Sequence, residues 1–149
     1  MKMTACAVAV AWIFFAMPGE AHCSAKHFKA TQEHFTAFSS EAAGLFFKTD
    51  KQSERNILSH LTATSAIYAD KALMIAYLVD IHENMDSQAD KAYVELKIAE
   101  LKNFLVSSMP PGIKSLSDLV DNLDNAAIRA VGDRILNEMR VFERNVGNL

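Results

Sequence analysis

The sequence has few of the residues that cross-link a small domain or divide it into loops. Its 149 residues include two cysteines, three prolines and five glycines. A disulfide framework, a collagen-like repeat and a linker-rich chain are therefore excluded. The formal net charge is −3, and no run of Lys or Arg forms a basic patch. We accordingly expect no nucleic-acid partner.

The motifs of common enzyme and cofactor sites are also missing. There is no Gly-x-Ser-x-Gly, no glycine-rich phosphate loop, no Cys-x-x-Cys-His for haem and no Glu-x-x-His of ferritin-like metal bundles. In segment 82–86 (HENMD), Asp86 stands where the zinc-protease helix has its second histidine. The sequence therefore predicts a protein that is not an enzyme and holds no cofactor.

The amino-terminal residues have the pattern of an export signal. Lys2 precedes an uncharged apolar run over 5–17, and Pro18 and Gly19 separate this run from small residues. Thirteen apolar residues are too few for a helix that spans a bilayer, which needs about 20. We predict a signal peptide over 1–21, or over 1–25 with the alternative cut, and a single domain over 22–149. The mature protein is then periplasmic or secreted, without a transmembrane segment.

Cys23 lies just after the predicted signal and has no disulfide partner in the mature chain, because Cys6 belongs to the signal. The preceding Ala21 and His22 do not form a convincing lipidation motif. If cleavage follows Ala21, His22 becomes the terminal residue. Its amine and imidazole, with Cys23 or His27, then form a candidate copper site. A cut after residue 25 removes this candidate.

Apolar residues recur every three or four positions through the rest of the chain, which is the spacing of amphipathic helices. We predict an all-α fold, a four-helix up-down bundle. The first predicted helix covers about 28–47, and the second starts with a capping box of Thr49 and Gln52. The third starts at Asp86 or Ser87 and ends in the proline-containing segment 107–112. The fourth runs from about 115 or 117 to 144.

The second predicted helix has two neighbouring apolar stripes, so we predict that it is mostly enclosed. The second of these stripes consists of Ile67, Met74, Leu78, Ile81 and Met85. A ridge of small residues is predicted to let another backbone approach closely. The ridge consists of Ser65, Ala69, Ala72 and Ala76.

Three groups of side chains remain as candidates for binding. His82 and Asp86 can form one edge of a metal site, although an inward-facing histidine and a helix cap also explain them. Phe46 and Phe47 are adjacent, so one of them is expected to point away from the core and mark a contact surface. The third group is acidic and is either a solvated face or a partner surface. It consists of Asp118, Asp121 and Asp124, placed at the start of the fourth predicted helix.

These patterns predict an exported, non-enzymatic helical protein that acts by binding a protein partner. An immunity or inhibitor protein, an adaptor and a subunit of an envelope assembly are examples of this class. The alternative is an exported helical bundle that binds a small ligand or a metal. The sequence does not identify the partner.

Overall fold

The structure is a computed structural model that describes residues 24–149. This part of the chain is all-helical, with four α-helices and no strand. The predicted signal, His22 and Cys23 lie outside the described residues. The helices are α1 (Ala25–Phe46), α2 (Gln52–Asn84), α3 (Gln88–Asp121) and α4 (Ala126–Gly147).

The four helices share one apolar core, whose centre is aromatic. The Phe142 ring on α4 meets the Phe28 and Phe35 rings of α1 edge-on, with centroids 6.1 and 6.2 Å apart. Tyr68 of α2 stacks on Phe35 at 5.7 Å. Edge-to-face and offset aromatic pairs are favourable beyond the apolar area they bury. This cluster therefore joins α1, α2 and α4 at the middle of the core.

The predicted ridge of small residues on α2 is confirmed as buried. α1 packs more extensively against α2 than any other two helices pack. The Ser39 hydroxyl donates to the Thr62 carbonyl across this contact at 3.3 Å, and Lys29 lies 4.0 Å from the Asp80 carboxylate. Among the described residues α1 and α3 do not contact each other, so they lie on opposite sides of the core.

The predicted end of the third helix at 107–112 is wrong. α3 continues through Pro110 and Pro111 to Asp121. The two prolines remove only the donors that would reach the carbonyls of residues 106 and 107, and both prolines are exposed to solvent. Met109 and Leu116, on the other side of the helix, are fully buried. Burial of this apolar stripe therefore outweighs the two lost hydrogen bonds.

The chain turns instead at residues 122–125. The Asn125 side chain caps α4 by accepting from the backbone N–H groups of Ala127 and Ile128, at 3.0 and 3.3 Å. An asparagine at this position satisfies donors that have no partner inside the helix. The predicted fourth helix therefore combined the last turns of α3 with α4. Asp118 and Asp121 end α3, and Asp124 lies in the turn.

The two predicted helix caps have different outcomes. Ser87 caps α3, since its hydroxyl accepts from the Asp90 N–H at 3.4 Å, as predicted. The capping box at Thr49 is wrong, because α2 starts at Gln52 after Lys51 without a side-chain cap. The Thr49 hydroxyl donates instead to the Glu54 carboxylate at 2.5 Å. This bond, together with one from the Lys51 ammonium, lowers the pKa of Glu54.

Candidate functional site

The main candidate site is an exposed apolar surface on α2 and α3. Nine large hydrophobic side chains are exposed within residues 24–149, and all except Phe47 lie between 67 and 81 on α2 or between 93 and 106 on α3. We call five of them the α2–α3 apolar face. They are Ile67, Met74, Ile81, Tyr93 and Phe104. Tyr77 and Leu96 are exposed at its edges.

Helical spacing places these side chains in two rows. Ile67, Met74 and Ile81 are seven residues apart, which is two turns, and Tyr93 and Phe104 are eleven apart, which is three turns. Two contacts fix how the rows lie beside each other. The Lys71 ammonium of α2 lies 5.6 Å from the centroid of Phe104, and His82 Nε2 lies at hydrogen-bonding distance, 2.8 Å, from Oε1 of Glu95 on α3. The stretch 71–82 therefore lies alongside 95–104, and the ring of Phe104 lies next to Lys71, which stands between Ile67 and Met74 on α2.

The prediction that α2 is mostly enclosed is wrong on the side of its second stripe. Ile67 is 56% exposed and Met74 is 48% exposed. α2 contacts α1, α3 and α4, and all three contacts leave its outer side uncovered by any other helix of the described chain. Exposed apolar side chains grouped in this way are typical of interaction surfaces.

Charged groups of both signs lie on this surface. The Lys97 ammonium is 5.6 Å from the centroid of Tyr93 and donates to the Glu100 carboxylate at 2.8 Å. The bond to Glu100 and the attraction of its charge raise the pKa of Lys97. Tyr93, Lys97, Glu100 and Phe104 thus follow one another along one side of α3 at spacings of four, three and four residues. The row has an aromatic ring at each end and a pair of opposite charges between them.

A cleft of about 660 Å³ at the end of the bundle is a second candidate. Its apolar walls come from Val79, Ile98 and Ala99, and the His82–Glu95 pair lies at its polar side. Lys102 adds a cationic group. The cleft thus combines an apolar floor with hydrogen-bonding and charged groups, as small-molecule sites do.

The two residues of the predicted metal edge, His82 and Asp86, have different surroundings. His82 is bonded to Glu95 of the neighbouring helix, whereas Asp86 is exposed in the turn before α3. His27 is exposed and its Nδ1 lies 3.0 Å from the Ser24 hydroxyl. Within residues 24–149, no three His, Cys, Asp or Glu side chains are grouped so that they could hold a metal ion.

The remaining predicted surface residues are spread over the molecule. Phe47 is 83% exposed, whereas Phe46 is half-buried with the Arg55 guanidinium 5.9 Å from its ring centroid. The three aspartates are exposed around the turn between α3 and α4. The sequence reasoning missed Tyr93, Glu95 and Phe104 as site residues. The available signal was the spacing of Tyr93 and Phe104, which are eleven residues apart and therefore lie on one side of a helix.

Comparison with known proteins finds no match. No protein-family model matches the chain, and neither a curated protein nor a solved structure is significantly similar to it. No helix of the described chain is both long enough and apolar enough to cross a membrane.

Proposed function

We propose that this chain is an exported, non-enzymatic helical protein that acts by binding a protein partner through the α2–α3 apolar face. An immunity or inhibitor protein, an adaptor or a subunit of an envelope assembly would work in this way. The observation that carries the proposal is the concentration of half-exposed Ile, Met, Tyr and Phe side chains on these two helices. Aromatic residues and Met are enriched in protein interfaces. Phe46, Phe47 and the three aspartates offer less contiguous apolar area.

The proposal includes an up-down-up-down arrangement of the four helices. The Lys29–Asp80 and Ser39–Thr62 contacts support opposite directions for α1 and α2. The Lys71–Phe104 and His82–Glu95 contacts support opposite directions for α2 and α3. The short connections between long helices also favour this arrangement.

Export with cleavage after Ala21 is also part of the proposal. Ala25 is 6% exposed and belongs to the core, and the Ser24 carbonyl accepts the His27 backbone N–H at 3.0 Å. A cut after residue 25 would remove both Ser24 and Ala25 from the first turn of α1. The structure of this turn therefore favours the cut after Ala21, which leaves both residues in the mature domain. Amino-terminal sequencing of the exported protein tests this choice, and a terminus at Lys26 contradicts it.

Affinity capture with matched variants tests the binding function. The exported protein is compared with Met74→Glu, which places a charge on the α2–α3 apolar face, and with Phe47→Glu, which places one on another surface. Both side chains are exposed, so neither change opens a cavity in the core. We expect a stoichiometric protein that is retained by the wild type and Phe47→Glu and lost with Met74→Glu. Equal retention by all three would contradict the proposal.

The cleft beside His82 favours a second candidate function, an exported bundle that binds a small ligand with an apolar body and a polar head group. Native mass spectrometry of the protein from its own compartment tests it. A bound mass that is lost in Ala99→Trp, which fills the cleft, and kept in Ala89→Trp, outside it, would support ligand binding. A protein of unmodified mass in every sample would oppose it.

A further inference from the structure

We infer that the protein bound by the α2–α3 apolar face is a second copy of this chain. The two copies pack face to face about a two-fold axis, with the two α3 helices antiparallel. The axis crosses α3 at the level midway between residues 98 and 99. This inference rests on the proposed protein-binding function and names the partner.

The row of side chains along α3 is complementary to itself. Two antiparallel helices related by this axis bring together residues whose numbers are symmetric about it. Tyr93 then lies level with Phe104 of the second copy, and Lys97 lies level with Glu100 of the second copy. Each of these contacts occurs twice. An aromatic ring therefore meets an aromatic ring at both ends, and each charge meets its opposite in the middle.

Two of the three residues in the apolar row on α2, Met74 and Ile81, agree with the same axis, whereas the position symmetric to Ile67 is already in α3. The Lys71–Phe104 and His82–Glu95 contacts place the middle of α3, at residues 98 and 99, beside α2 at about residue 77. An axis at this level pairs Met74 with Ile81 of the second copy, and Ile81 with Met74. Tyr93 and Phe104 on α3, and Met74 and Ile81 on α2, thus form apolar pairs about the same axis. A surface that binds an unrelated protein would not need this symmetry.

The exposed area is of the size that a dimer needs. The face and its edges comprise seven large side chains, each about half exposed, and three of them are aromatic. An aromatic side chain buries about 150–250 Å² when it is covered completely, and the four aliphatic side chains bury less. Half of these areas, together with a polar rim, approaches the ~800 Å² per partner of a standard interface. The balanced charges of Lys97 and Glu100 fit a copy of the same face better than a strongly acidic or basic partner.

Sedimentation equilibrium of the purified exported protein tests self-association. We expect a dimer at about 10 µM protein, a monomer for Met74→Glu, and a dimer for Phe47→Glu. A wild-type protein that remains monomeric at roughly 100 µM would overturn the inference.

Charge exchange tests the position of the axis. Lys97→Glu and Glu100→Lys each place like charges opposite one another in a homodimer, so each should weaken dimerisation by about tenfold or more. An equimolar mixture of the two variants restores both opposite-charge pairs between copies, so we expect it to dimerise about as well as the wild type. Circular dichroism checks that both variants fold, because each also loses the exposed Lys97–Glu100 pair within its own chain. A mixture that associates no better than either variant alone would overturn this packing.

Failure of this inference is distinguishable from failure of the proposed function. A monomeric protein that still captures a different protein, with capture lost in Met74→Glu, leaves the binding function intact and removes the second copy as its partner. A monomer whose capture does not depend on Met74 contradicts both.

Discussion

Ser65 is a buried hydroxyl that has no hydrogen-bond partner within residues 24–149. It belongs to the ridge of small buried residues on α2. Burying an unpaired polar group costs about 1–3 kcal/mol, so the Ser65 hydroxyl lowers the stability of the fold, whereas its small volume suits the buried ridge.

We predict that Ser65→Ala raises the free energy of unfolding by about 1 kcal/mol, because it removes the unpaired hydroxyl and keeps the small volume. Urea unfolding followed by circular dichroism measures the change. Ser39→Ala is the matched control, since it deletes a hydroxyl that donates to the Thr62 carbonyl. The control should lower stability by about 0.5–1 kcal/mol. A loss of stability in Ser65→Ala would show that this hydroxyl has a partner.

Among the helices, α3 and α4 are in close contact where Gly132 faces Val120. A Cβ built on Gly132 would lie 2.5 Å from the Val120 Cγ2 atom, which is closer than two carbon atoms can approach. The glycine is therefore required by the neighbouring helix and not by its own backbone, which has no positive φ. Gly44 of α1 differs, since no atom of another described helix lies within 4 Å of the position that its Cβ would occupy.

We predict that Gly132→Ala lowers the free energy of unfolding by about 1–3 kcal/mol through this overlap. Gly44→Ala should instead raise it by up to about 1 kcal/mol, because alanine favours a helix over glycine. The double variant Gly132→Ala/Val120→Ala should lose less stability than the sum of its two single changes, since the shortened Val120 side chain leaves room for the new methyl group. Strict additivity in urea unfolding would argue against contact between these two residues.

Helix boundaries show where sequence reasoning succeeds and where it fails. Leu116, Val120 and Leu123 follow the apolar spacing of the predicted fourth helix and are buried, although the first two belong to α3. The spacing of apolar residues indicates which side chains are buried. It continues almost unchanged across the turn at 122–125, so it does not show where one helix ends and the next begins. Local rules placed the break at the prolines because they count lost donors and not the tertiary packing that compensates for them.

For the molecule as a whole, the sequence predicted four helices and a shared core, but it did not predict the α2–α3 apolar face. The spacing of Ile67, Met74 and Ile81 shows that they lie on one side of a helix. Whether that side is covered depends on where the neighbouring helices lie, and the sequence of α2 alone does not contain this information. Tyr93 and Phe104 become part of a surface only when α3 lies beside α2. The pairing of His82 with Glu95 also depends on the position of α3 beside α2, so the sequence of α2 alone does not predict it.

Tyr68 of α2 lies next to residues of all three other helices. Its ring packs on Phe35 of α1 and meets Phe142 of α4 edge-on, with centroids 5.7 and 6.3 Å away. Its hydroxyl lies 3.1 Å from the position that a Cβ on Gly112 of α3 would occupy. Burial, together with the nearby charge of Glu143, raises the pKa of Tyr68. The Tyr68 hydroxyl is therefore harder to ionise in the folded protein than in the unfolded chain.

The sign of the resulting pH dependence follows from linkage. The pKa of Tyr68 is higher in the folded state than the value of about 10 in the unfolded chain, so the unfolded state loses its proton first as pH rises. The contribution of Tyr68 to stability is complete below about pH 10 and is lost as pH rises through the folded pKa. We predict that Tyr68→Phe reduces the fall in unfolding free energy between pH 8 and pH 11, measured by urea unfolding at both values. The raised pKa of Lys97 makes a separate alkaline contribution of the same sign, which remains in Tyr68→Phe, so only the difference between the two proteins reports on Tyr68. An identical fall in both proteins would mean that the Tyr68 hydroxyl ionises as readily in the folded core as in the unfolded chain.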